Sequence, residues 1–78
     1  MSETEKTVRE ELSKITGEST DKISKDDNLI EDVGLDSLNV LEVFGMIEEK
    51  FNVVVNSEEI SEIRTIGDIV GLIERNKK

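Results

Sequence analysis

The chain has no cysteine, histidine, proline, tryptophan or tyrosine, and its aromatic residues amount to two phenylalanines. Without cysteine no disulfide can form, and without cysteine or histidine a structural zinc site lacks its usual ligands. A chain free of cysteine also suits a reducing compartment. The missing histidine removes the base that a serine hydrolase places beside its nucleophile. A serine–lysine pair stays formally open, but an acidic surface would hold the lysine protonated. No apolar run approaches the ~20 residues of a membrane span, and the first residues lack a signal-peptide apolar region. There is no glycine-rich phosphate loop. The cluster Asp26-Asp27-Asn28 lacks the alternating ligands, central glycine and final glutamate of a calcium-binding loop. These absences together lead to the expectation of a cytoplasmic protein that is not an enzyme and holds no metal.

What the chain has in quantity is acid. Its 78 residues carry 19 Asp and Glu against 10 Lys and Arg, a formal net charge of −9. Such a surface repels nucleic-acid phosphates and anionic lipids, so neither nucleic acid nor membrane insertion is expected. It attracts basic patches on other proteins and speeds encounter with them. The length allows one domain, residues 1–78, and a chain of this size buries only about 60% of its unfolded surface. Without staples, its stability must come from packing of aliphatic side chains. A monomer is expected.

Four helical segments are legible. The first opens with Ser2 and Glu5 at capping-box spacing, places Val8, Leu12 and Ile15 on one face, and ends at Gly17. Its acids, among them Glu5 and Glu11, read as surface carboxylates. The second is capped by Asp36 and runs to Lys50 or Phe51; a short third covers Glu58 to about Glu62, after Asn56 and Ser57. The fourth starts at Thr65, spaced for a capping box with Asp68, and presents Ile66, Ile69, Val70 and Ile73. Lys77 and Lys78 then stand at the negative end of its dipole. Val53-Val54-Val55 has strand propensity but no partner strand, so it is expected as an apolar loop that plugs the bundle. The segment from Glu18 to Leu35 is long for a connection, yet Ile23, Leu29, Ile30, Val33 and Leu35 recur along it, which predicts an ordered loop packed over the helices. The expected fold is all-α: a small four-helix bundle of three longer helices and one short one, with a long ordered loop between helices one and two.

The second helix carries two stripes. At 100° per residue, Val40, Val43, Phe44, Ile47 and Phe51 share one arc, the core face. Leu38, Leu41 and Gly45 fall elsewhere, flanked by Glu42, Glu48 and Glu49. Scattered exposed leucines are ordinary, but apolar residues rimmed by acids also fit a partner with a basic, apolar socket. Just ahead stands Gly34-Leu35-Asp36-Ser37-Leu38. If Asp36 caps the helix, Ser37 takes its first position, where a phosphoryl group would meet free backbone N–H groups, against repulsion from Asp36 and from Glu31 or Asp32. On the residues alone Ser37 is either a modifiable serine or part of a cap.

These motifs resemble the acyl carrier protein family along nearly the whole chain. Asp36-Ser37-Leu38 is similar to the family's attachment motif, and Glu31-Asp32-Val33-Gly34-Leu35 to the acidic approach to it. Leu41-Glu42 and Ile47-Glu48-Glu49-Lys50-Phe51 resemble its second helix. Ser57-Glu58-Glu59 and Ile63-Arg64-Thr65-Ile66-Gly67-Asp68 resemble its third helix and the start of its fourth. The resemblance implies that Ser37, between Asp36 and Leu38, takes 4′-phosphopantetheine from coenzyme A through a phosphopantetheinyl transferase, and that the arm's thiol carries acyl groups as thioesters. It implies a partner surface at Leu38, Leu41, Glu42, Gly45 and Glu48, met by basic docking patches on acyl-transfer and fatty-acid or polyketide synthesis enzymes. It further implies an acyl pocket among Phe44, Ile47, Val70 and Ile73. Three positions depart from the family pattern: Asn39 where aspartate is frequent, Asn56 where proline is, and Gly45 where a bulky apolar residue is. An aminoacyl, peptidyl or D-alanyl carrier is the alternative, and an acidic helical adaptor with an unmodified Ser37 is the reading from a different class.

Overall fold

The structure, a computed structural model, describes residues 2–76. Among these there are four helices and no strand: α1, Glu3–Thr16; α2, Ser37–Phe51; α3, Ser57–Ser61; and α4, Ile66–Asn76. The capping chemistry legible in the sequence sets most boundaries. Ser2 Oγ accepts the Glu5 amide at 3.1 Å, and Gly17 ends α1 at φ 73°, a left-handed conformation that glycine adopts without steric penalty. Asp36 and Asn39 form a reciprocal box at the start of α2. Thr65 and Asp68 do the same for α4, with Thr65 Oγ1 accepting the Asp68 amide at 3.0 Å and Asp68 Oδ2 accepting the Thr65 amide at 3.1 Å. The third helix starts one residue earlier than expected, because Asn56 is its cap: Asn56 Oδ1 accepts the Glu59 amide at 2.8 Å. That bond fixes the approach to α3 where proline would otherwise restrict the backbone. Lys77 and Lys78 lie outside the described residues.

Helices α1, α2 and α4 enclose one aliphatic core in which Val8, Leu12, Val43, Phe44, Ile47, Ile66, Ile69, Leu72 and Ile73 are sealed from solvent. Ile15, Val40, Phe51 and Val70 pack at its margin. Helix α3 buries no residue fully. Val53 and Val55 plug the bundle, whereas Val54, between them, faces solvent at 82% exposure. Successive residues of an extended segment point to opposite sides, so only alternate valines can reach the core.

The segment between α1 and α2 is ordered by specific bonds as well as by apolar packing. The Arg9 guanidinium of α1 donates to the carbonyls of Thr20 and Ile23, both at 2.7 Å. Leu29 N–H donates to the Arg64 carbonyl at 2.8 Å, and Gly67 N–H donates to the Lys25 carbonyl at 3.0 Å. Leu29 and Leu35 are buried and Ile23 and Val33 half-buried, but Ile30 is turned out. Gly34, at φ 92°, makes the left-handed step that delivers Leu35 to the core and Asp36 to the helix start.

One first-helix acid departs from its expected surface position. Glu11 is buried at 1% exposure, and its Oε1 accepts from Lys14 Nζ at 3.3 Å and Lys50 Nζ at 3.4 Å. Burying a carboxylate is tolerable only with such partners; here the pairing joins α1 to the last turn of α2. Glu5 stays half-buried, bonded to Arg9 at 3.1 Å.

Candidate functional site

The start of α2 is built by Asp36. Its Oδ1 accepts the Asn39 amide at 2.8 Å, Asn39 Oδ1 accepts the Asp36 amide at 3.2 Å, and the Val40 amide donates to the Asp36 carbonyl at 3.1 Å. The amides of Ser37 and Leu38 precede these bonds and lie at the positive end of the helix dipole. Ser37 is the first helical residue and is exposed. Asn39 thus supplies the second half of the capping box while keeping one negative charge away from Ser37.

Ser37 also stands on the lip of a cavity of about 300 Å³. Leu29 and Ile30 of the interhelical loop form one wall, and Val40 and Leu41 of α2 another. Ile60 and Ser61 at the end of α3, with Ile63 and Arg64 beyond it, close the third. Asn28 completes the rim and is held in place by the turn it makes: its Oδ1 accepts the Ile30 and Glu31 amides at 2.9 and 2.8 Å. Asp32 Oδ2 in turn accepts the Asn28 amide at 2.8 Å, and Asp27 Oδ2 the Ser24 amide at 2.9 Å. Asp27 and Asp32 are therefore spent on backbone turns. Among the described residues no acidic cluster has the arrangement of a metal site.

The second helix presents its faces as follows. Leu38 and Leu41 are 67% and 54% exposed, and Leu41 with Ile30, at 51% exposure, lines the cavity. Glu42 and Gly45 are exposed on the same helix. Glu48 is half-buried, and its Oε2 accepts the Val55 amide at 3.4 Å, so it also ties the 53–55 loop to α2. Phe44, Ile47 and Ile73 are within the sealed core, and Val70 is at its edge. None of these four lines the cavity beside Ser37. The residues that do line it come from three separate stretches of chain, and the Ile60–Ile63 spacing, one helical turn, was the one local signal for the far wall.

A family model described as "Phosphopantetheine attachment site" matches residues 6–73. An acyl carrier protein of Wolinella succinogenes is 42% identical over 57 residues, covering 73% of this chain and 75% of that protein. An acyl carrier protein of a Sulfurovum species is 34% identical over 67 residues, covering 86% and 89%. The solved structure of an acyl carrier protein from Thermotoga maritima superposes with a TM-score of 0.81 at 23% identity, over 95% of this chain and 91% of that one, a likeness that bears on the fold.

Proposed function

The chain belongs to the acyl carrier proteins, the family with a phosphopantetheine attachment site, and from that premise we propose that Ser37 is the residue that bears the 4′-phosphopantetheine arm. Members of this family are non-catalytic carriers. The observation that supports Ser37 is its position: an exposed hydroxyl at the first residue of α2, on the lip of an apolar cavity. The residues there fit the group. Ser37 Oγ would form the new phosphoester as the pyrophosphate bond of coenzyme A breaks, with adenosine 3′,5′-bisphosphate leaving and the serine proton passing to a base of the transferase. The Ser37 and Leu38 amides, left over by the cap, are placed to meet the phosphate oxygens. When bound, the group supplies the one thiol that a cysteine-free chain lacks, and with it thioester attachment of acyl groups.

The cavity gives the cargo a place out of water. Its walls of Leu29, Ile30, Val40, Leu41, Ile60 and Ile63 favour an aliphatic acyl group over an aminoacyl one, because a charged amine gains nothing from such a lining and loses its hydration. Phe44, Ile47, Val70 and Ile73 are the core residues that a longer chain would have to displace. Leu38, Leu41, Glu42, Gly45 and Glu48 form the surface read by the phosphopantetheinyl transferase and by acyl-transfer enzymes of fatty-acid or polyketide synthesis. Basic docking patches on those enzymes complement the acidic rim. Loading from coenzyme A supports a cytoplasmic carrier.

The test is intact mass after incubation with coenzyme A and a phosphopantetheinyl transferase. The wild-type chain gains the mass of one arm; Ser37→Ala gains none and keeps its helical circular dichroism, since Ser37 contributes to no core contact. A Ser37→Ala chain that still gained the mass would overturn the assignment.

A further inference from the structure

Arg64 joins every wall of the cavity except α2. Its guanidinium Nη1 donates to the carbonyls of Ser61 and Ile63, at 2.7 and 2.9 Å, and so holds the C-terminal end of α3. Its own carbonyl accepts the Leu29 amide at 2.8 Å, which fixes the loop wall. Its amide donates to Asp68 Oδ2 at 3.0 Å, the residue that caps α4. Arg64 itself forms part of the cavity lining. Helix α3 is otherwise held by its Asn56 cap and by Ile60, half-buried against the core; no residue in it is fully buried, and its side-chain ties to α4 are long, Asn76 and Arg75 reaching Glu59 at 3.4 and 3.9 Å.

We propose that Arg64 is a positioning residue for the cargo: by tying the end of α3 and the loop to one point, it keeps the α3 wall closed over an aliphatic chain in the cavity beside Ser37. This deepens the carrier reading and rests on it. The cavity also sets a length. A methylene fills about as much room as one water molecule in the liquid, ~30 Å³, so a cavity of about 300 Å³ has room for on the order of ten carbons. Longer chains gain nothing further unless the core repacks. Arg64 is exposed, and removing its charged head frees the Ser61 and Ile63 carbonyls at the end of α3 while its backbone bonds to Leu29 and Asp68 stay in place.

The experiment compares the wild-type chain with Arg64→Met, which keeps an apolar stem, and Arg64→Lys, which keeps a charge that can reach one carbonyl. On the unloaded chains, amide hydrogen exchange at Ile60, Glu62 and Ile63, whose N–H groups bond within the α3 turn, should quicken in Arg64→Met by about fivefold, the scale of losing a modest hydrogen bond. Amides of α1 should not change. On chains loaded with acetyl, octanoyl or palmitoyl groups, the rate of thioester cleavage by hydroxylamine measures shelter. In the wild type the octanoyl form should be cleaved several-fold more slowly than the acetyl form, and palmitoyl no more slowly than octanoyl. Arg64→Met should accelerate cleavage of the octanoyl form about fivefold and leave the acetyl form unchanged, with Arg64→Lys between. Equal acceleration of acetyl and octanoyl forms would mean general loosening and would overturn the proposal, as would no change in either. If the wild-type chain takes up no arm at all, the carrier reading fails first, and α3 exchange on the unloaded chains still decides whether Arg64 holds the wall.

Discussion

Reversing Glu42 to lysine tests the recognition surface with the least collateral damage. Glu42 is exposed on α2 and makes no hydrogen bond or ion pair among the described residues, whereas Glu48 holds the Val55 amide; a Glu48 reversal would mix lost recognition with a loosened loop. The control is Glu10→Lys, an exposed acid of α1. Glu11 cannot serve as that control, because its buried carboxylate links Lys14 and Lys50. Either single reversal moves the formal net charge from −9 to −7, so long-range repulsion changes equally. The difference is local. A partner cation about 7 Å from Glu42 in water-like surroundings interacts by roughly 0.6 kcal/mol, so reversal changes the energy by about 1.2 kcal/mol before screening. With a Debye length of about 30 Å at 0.01 M salt and about 8 Å at 0.15 M, about 0.9 and 0.5 kcal/mol survive. Glu42→Lys should therefore slow transferase association about fivefold at low salt and about twofold at physiological salt, with the loss in association rate and little change in melting temperature. Stopped-flow association across a salt series is the assay. If Glu10→Lys slows association as much as Glu42→Lys at every salt concentration, overall charge accounts for the effect and the second-helix surface is not a recognition site.

Two stability predictions accompany it. Glu11→Lys puts an unpaired cation at a buried position on which two half-exposed lysines already converge; an uncompensated buried charge costs ~3 kcal/mol or more, so the melting temperature should fall by more than about 10 °C, and a drop no larger than that of Glu10→Lys would refute the buried position of Glu11. Gly45→Ala adds a Cβ that meets nothing within 4 Å and relieves a helix-propensity deficit of ~1 kcal/mol, raising the melting temperature by about 4–8 °C; a fall would show that Gly45 is packed against something.

The all-α architecture and the second helix were legible in the chain alone because their causes are local. Capping chemistry at Ser2, Asp36 and Thr65, the glycine after α1 and the 3.6-residue spacing of Val43, Phe44 and Ile47 each act within a turn or two of helix. The acidic rim of α2 and the place of Ser37 at its first residue follow from the same periodicity. What the tertiary structure decided was everything that depends on which distant segments meet. Glu11 reads as a surface acid until α2 brings Lys50 to it. Ile30 and Val54 read as core until the loops present them to solvent. The cavity at Ser37 is assembled from the interhelical loop, α2 and the residues around α3, joined by a bond from Leu29 to Arg64 across 35 positions of chain. Hydrophobic periodicity records that a residue is turned away from water; it carries no information on which neighbour it meets, because burial is non-directional and partners are chosen by packing.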